Sequence, residues 1–477
     1  PKFTEQAGYE VKNGFKLRDK NGEEIPYNLI DISYHSFTES PDDFYRREAD
    51  RYTIAFTADL PPMGVAQYRI DPYEKPVRYM NALSTSDHSC ENAYIRMEIN
   101  ADGTVNIRDK ETGKEYTRLL GFVDDGEIGD GWFHANPIND RAVSSIGSGC
   151  MIEKVDDGPA ACTFRVTCLM KVPEKILRGP HGNMRSGETV ELRIVSSLTL
   201  AEANRWVDIK TTIDNHVLDH RLRMRIPTGI PKGNYYANQA FGFVERKPGF
   251  DRNTGEWKEP DPEEKAFESI VLKRDEAGCG LAFLSAAGLH ECAVSDDRDG
   301  TIWITLLRSF SKTHLTDGEP DGQLQRKLEY HTRLVPVCPA DSLADLVRIK
   351  DCLQAGIRTV THRTAKDCLP SGQEGMVQCI GRDVVLSLLK LPEDRQSNSV
   401  VVRLSNYSDR TTAASLKCRY PIEKAFYTDM LENNGTEATF HDNILEVTCK
   451  PWEIRTCRIT FLNGKSGKEF DRKNAEI

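Results

Sequence analysis

The stretch that decides the fold runs over residues 205–246, RWVDIKTTIDNHVLDHRLRMRIPTGIPKGNYYANQAFGFVER. Val207, Ile209 and Ile213 alternate with Asp208, Lys210, Thr212 and Asp214. After NHVLDH, Leu222, Met224 and Ile226 alternate with Arg221, Arg223 and Arg225. Period-two alternation sends one set into a core and the other to the opposite face. The pattern predicts two neighbouring strands joined by a turn, with the three arginines in a row close to Asp208 and Asp214. Opposite charges paired across strands fix register at about 0.2–1 kcal/mol each. The segment 230–246 reads as a long polar loop, carrying Tyr235, Tyr236, Asn238, Gln239 and Arg246. Such a loop on a rigid sheet is a usual place for ligand contacts.

The same periodicity extends in both directions. Toward the N-terminus, strands are expected at 149–155, 161–171 and 189–200. ENAYIRMEINADGTVNIRDKETGKEY reads as two more, joined at the Asn- and Gly-bearing turn 100–103. Toward the C-terminus they are expected near 267–273, 279–285, 291–295 and 301–308. GFVDDGEIGDGWFHANPINDR interrupts this series as some twenty residues without a regular element, dense in Gly and acid. A loop that long inside a domain is more often functional than idle. DSLADLVRIKDCLQ, 341–354, is the single convincing helix, with Ser342 and Asp345 at capping-box spacing and Gly356 to end it.

The fold class is therefore all-β. We expect a small linking β domain over 1–85 and a large β-sandwich over 86–340. A helix and connection follow over 341–370, then a C-terminal β-sandwich over 371–463 and a polar tail over 464–477. Net charge is −10 with both signs interspersed, which argues against a nucleic-acid partner. No apolar run approaches the ~20 residues a membrane span needs. The first residues carry no apolar signal-peptide core, so a cytoplasmic location is expected. The 13 cysteines are odd in number and form no CxxC. Neither a disulfide framework nor a zinc site follows, and they read as small buried hydrophobes.

No nucleophile elbow, HExxH, P-loop or dinucleotide fingerprint is present. His216 and His220 share i, i+4 spacing, but in a turn rather than on a helix. Trp132 in GDGWFH is the best ligand candidate. Its face can stack on the CH side of a sugar, with Asp130 accepting hydroxyl hydrogens, or the ring can simply plug the loop onto the sheet. Arg308 and His314 border a second long loop, where a buried arginine paired with a carboxylate explains Arg308 equally well.

Several stretches resemble the C-terminal β region of glycoside hydrolase family 38 alpha-mannosidases, of the bacterial and cytosolic type. They are ENAYIRMEINADGTVNIRDKETGKEY, GDGWFHANP, VDIKTTIDNHVLDHRLRMRIPTG with AFGFVER, LLRSFSKTHL, SVVVRLSNYSD and PWEIRT, in the family's order. The resemblance implies a large sandwich like that of mutarotase-type sugar enzymes. It also implies retaining, zinc-dependent hydrolysis of terminal alpha-mannosides in the intact enzyme. The family's nucleophile and zinc ligands sit on N-terminal domains, and no stretch here resembles them. The chain is thus expected to be a portion that walls the substrate side, with no catalytic or metal-ligating residue and no cofactor of its own. Its expected partners are a mannoside or mannosyl-glycan and the N-terminal catalytic domain, and, since the family often pairs subunits, a second copy. The expected substrate-binding residues are Asp130, Trp132, His134, Tyr236, Asn238, Arg246 and Arg308; Asn238 stands where related enzymes often have Asp. The alternative is a free-standing carbohydrate-binding or scaffold module without catalysis.

Overall fold

The computed structural model describes residues 2–6, 14–37, 48–180, 182–312, 318, 320–359, 375–396 and 398–462. The tail 464–477, His314 and much of the connection after the helix lie outside them. Among the described residues the chain is strands with one α-helix, Leu343–Ala355, and no sheet closes into a barrel. The chain divides into two compact units. One holds Pro1–Ala58, Tyr68–Asp341 and Ile349–Ala365, and the other holds Asp59–Gln67, Ser342–Arg348 and Lys366–Ile477.

In the first unit, three sheets of five, six and nine strands contribute to one apolar core. Strand periodicity builds it. Ile95, Met97 and Ile99 point inward from one sheet, Leu222, Met224 and Ile226 from another, and Leu192, Ile194 and Leu198 from the third. Each fully buried aliphatic chain of this kind contributes roughly 1.5–3 kcal/mol by leaving water. A small N-terminal part of the same unit has its own cluster, Phe15, Leu17, Tyr27 and Ile54, with Phe15 and Tyr27 stacked at 4.7 Å. It is tied on by Asn28, whose amide donates to Asp156 (2.8 Å) and to the Ala161 carbonyl (2.7 Å).

The second unit packs a four-stranded on a five-stranded sheet through Val402, Leu404, Leu416, Val447 and Ile459. Its end of the helix is capped reciprocally. Ser342 N donates to Asp345 Oδ2 (2.9 Å), and Asp345 N donates to Ser342 Oγ (3.3 Å). Gly356 follows at φ +63°, the left-handed conformation that glycine adopts at low cost.

Three readings are corrected. Val207–Asp214 and His220–Ile226 do not pair: the first lies in the nine-stranded sheet and the second in the six-stranded one. The segment NHVLDH crosses between the sheets, anchored by buried Asn215, whose amide donates to Ser309 Oγ (3.1 Å) and to the Gln323 carbonyl (3.2 Å). Asp208 consequently pairs with Arg333 rather than with the arginine row. Next, GFVDDG is a strand, Gly121–Gly126, in register with His220–Ile226. Its acids escape water because each has a cationic partner. Finally, 235–246 is a hairpin of Tyr235–Gln239 and Gly242–Arg246, the latter being the edge of the nine-stranded sheet.

Candidate functional site

Pairing Gly121–Gly126 with His220–Ile226, and that strand with Ile302–Ser309, decides where charge collects. The faces of Leu222, Met224 and Ile226 go to the core, so Arg221, Arg223 and Arg225 line the other face of the six-stranded sheet. Asp125 stands opposite Arg221 and takes two bonds from it, Nε to Oδ1 (2.9 Å) and a terminal nitrogen to Oδ2 (2.7 Å). Glu264 contacts Arg221 and Arg223, and Asp299 pairs with Arg225 at 3.0 Å. Burial alone would raise the Asp125 carboxyl, but the Arg221 hydrogen bonds and charge outweigh it and hold it below the ordinary range.

One step beyond that strand sits Glu127, whose side chain has no solvent exposure. Four donors converge on it. Oε1 accepts from Gly129 N (2.7 Å) and Ala135 N (3.1 Å); Oε2 accepts from His134 Nδ1 (2.7 Å) and Arg308 Nε (2.8 Å). Burial works against this charge, but His134 and Arg308 outweigh it and keep the carboxyl low. Arg308 also donates to the Asp130 carbonyl (2.7 Å). The turn 127–136 is closed further by Ile128 N to the Ala135 carbonyl (2.9 Å). Gly129 is required there, because a Cβ would lie 1.9 Å from the Phe133 carbonyl oxygen.

At the tip, Asp130 Oδ1 accepts from Trp132 N (2.8 Å) and Phe133 N (2.9 Å), which fixes the backbone that carries both aromatics. Trp132 is 63% exposed and Phe133 45%. A rigid buried clamp thus presents an indole and a phenyl ring outward, a geometry suited to stacking on an apolar ligand face.

Of the expected site residues, Asp130, Trp132, His134 and Arg308 come together in this turn. Tyr236, Asn238 and Arg246 belong to the hairpin of the other sheet. Asn238 is buried and fully engaged: Oδ1 accepts from Ser269 N (2.8 Å) and Ile270 N (2.6 Å), and Nδ2 donates to Ser269 Oγ (3.1 Å) and Glu268 Oε2 (3.2 Å). Arg246 donates to the Ala266 carbonyl (2.7 Å). Tyr236 is half-buried; burial, then Glu245, raise its phenol. Glu127 was not singled out from sequence. The signal lay in Val123, Asp125 and Glu127, which continue a strand alternation opposite an arginine row.

A zinc ion does not fit the side chains assembled here. Among the described residues no three His, Cys, Asp or Glu groups stand together as a ligand set, and Glu127 and His134 are spent on each other, on Arg308 and on Asn136. No helix among the described residues is long and apolar enough to cross a membrane.

The architecture is thus one of layered β-sheets with a charged face on the six-stranded sheet. Residues 90–323 match the family model "Glycosyl hydrolases family 38 C-terminal domain", and 383–457 match "Glycosyl hydrolases family 38 C-terminal beta sandwich domain". The two matches together span more than half of the chain, which belongs to glycosyl hydrolase family 38 and holds its C-terminal β domains. The chain is 24% identical over 314 residues to a Halalkalibacterium halodurans protein named "Putative mannosylglycerate hydrolase", covering 62% of this chain and 34% of that protein. It is similar to the crystal structure of an alpha-mannosidase from Enterococcus faecalis, at TM-score 0.77 and 20% identity, covering 94% of this chain and 51% of that one. A second structure, of a family 38 protein from Enterococcus faecalis, gives 0.78, 20%, 94% and 53%. The chain spans about half the length of the solved structures and a third of the curated relative.

Proposed function

We propose that this chain forms the substrate-side wall of a family 38 alpha-mannosidase, and that the turn 127–136 faces the sugar. The nucleophile and the zinc come, in this reading, from polypeptide outside these residues. The observation that carries it is the four-donor clamp on Glu127. A buried carboxylate held by His134, Arg308 and two backbone amides costs desolvation, and it fixes a turn whose product is an exposed Trp132. Trp132 stacks on the sugar's CH face. Asp130 holds the backbone of Trp132 and Phe133 through its two amide contacts, and Arg308 holds the turn to the sheet. The relatives' names point to mannosides as the substrate class.

The test is turnover of an aryl alpha-mannoside with zinc present. The chain alone should give none, and turnover should arise when the N-terminal half of a family member is supplied. Turnover by the chain alone would overturn the division of labour.

A further inference from the structure

The strand Gly149–Asp157 is an edge of the nine-stranded sheet and pairs with Ala161–Pro173. In that register Cys150 stands directly opposite Cys168, and their sulfurs are 3.0 Å apart. Directly opposed residues of antiparallel strands have Cα atoms about 4.5–5.5 Å apart, inside the roughly 4.4–6.8 Å that a disulfide spans. Closing a bond here therefore needs side-chain rotation rather than backbone movement. Cys150 is partly exposed on the edge strand, whereas Cys168 is buried.

The surroundings favour a small oxidant. The turn 100–103 lies over the pair, and a Cβ on Gly103 would meet Cys150 Sγ at 2.8 Å and Cys168 Sγ at 3.1 Å. Gly103 covers the pair from that side, so a reagent must come from the exposed side of Cys150 and must be small. A hydrogen bond from Cys168 holds the Cys150 thiol below its ordinary value, despite burial. The same bond, with burial, pushes Cys168 up. Exposure sets the order of attack: Cys150 is the sulfur a reagent can reach, which makes it the attacking thiol and buried Cys168 the resolving one.

We propose that Cys150 and Cys168 are an oxidisable dithiol that a peroxide closes to a reversible disulfide, clamping the edge strand to the sheet. The Cys150 thiolate attacks one peroxide oxygen, the O–O bond breaks, hydroxide leaves and a sulfenic acid forms. Cys168 then attacks that sulfur; the S–O bond breaks and water departs with the Cys168 proton. The two sulfurs lose two electrons to the peroxide.

The experiment is titration of the full chain with hydrogen peroxide, alkylation and peptide mapping, with exposed Cys352 as the internal reference. A Cys150–Cys168 cross-link, lighter by both thiol hydrogens, should form at about a tenfold lower dose than oxidises Cys352, and dithiothreitol should restore both thiols. Cys168→Ser should leave a Cys150 sulfenic acid that dimedone captures. Oxidation of Cys352 first with no cross-link, or a cross-link only in denaturant, would overturn the proposal. The mapping on unmodified chain decides the matter even where Cys168→Ser does not fold.

Discussion

In the turn 127–136 the charges are inside and an aromatic is outside; in the hairpin 235–246 a buried amide is spent on neighbouring backbone. Both stretches mix Asn, Gly, aromatic and ionic residues. In the turn, Glu127 draws donors from sequence-distant Arg308 and near His134, and the outcome is an exposed Trp132 on a fixed platform. In the hairpin, Asn238 satisfies Ser269 and Ile270 amides, and Arg246 binds the Ala266 carbonyl. The difference teaches that a polar, aromatic composition does not by itself say where the polar atoms are spent. What separates the two is whether the polar atoms are consumed in joining strands or in holding up a ring.

Five substitutions can break or sharpen that comparison. Arg221→Met should have the largest effect, because it leaves Asp125 and Glu264 beside it without their main cation. Removing one partner of a buried pair costs about 3–5 kcal/mol, read by urea denaturation, whereas Arg225→Met at the more exposed Asp299 pair should cost under ~1 kcal/mol. Equal losses would contradict the burial argument. Glu127→Gln should cost about 2–3 kcal/mol through lost charge-assisted bonds. It should also change the pH dependence. The Glu127 and Asp125 carboxyls lie low in the folded chain, so the stability they add is present above the unfolded carboxylate values. It is lost as pH falls through the folded ones. Urea midpoints measured from neutral to acid pH should fall less steeply for Glu127→Gln.

Asn238→Ala should cost about 1–3 kcal/mol, because two buried amides lose their acceptor, and should leave sugar recognition intact. Trp132→Ala should move stability by only about 0.5 kcal/mol, as surface changes do. If Asn238→Ala proves neutral to stability and Trp132→Ala strongly destabilising, the roles assigned to the two regions are reversed.

Much of this was legible in the sequence. The alternation of Leu222, Met224 and Ile226 with three arginines gave the right faces, and Ser342 with Asp345 gave the helix start. Asp124, Asp125 and Glu127 misled, because clustered acids read as solvated loop. Their partners Arg221 and His220 lie 96 residues away from Asp125 and Asp124, and no local pattern announces them. The crossing at 215–219 was hidden for the same reason. Asn215 looks like a turn residue until Ser309 arrives from another strand and Gln323 from a short 3-10 helix. Trp132 was visible as a candidate, but the buried carboxylate that positions its turn was not.

The most direct test is kcat/KM for an aryl alpha-mannoside in the enzyme assembled with an N-terminal catalytic half, with Trp132→Ala and Asn238→Ala measured side by side. The account predicts a fall of about tenfold for Trp132→Ala, the worth of one stacked ring, and no change per folded molecule for Asn238→Ala. Unchanged kcat/KM in Trp132→Ala would contradict it.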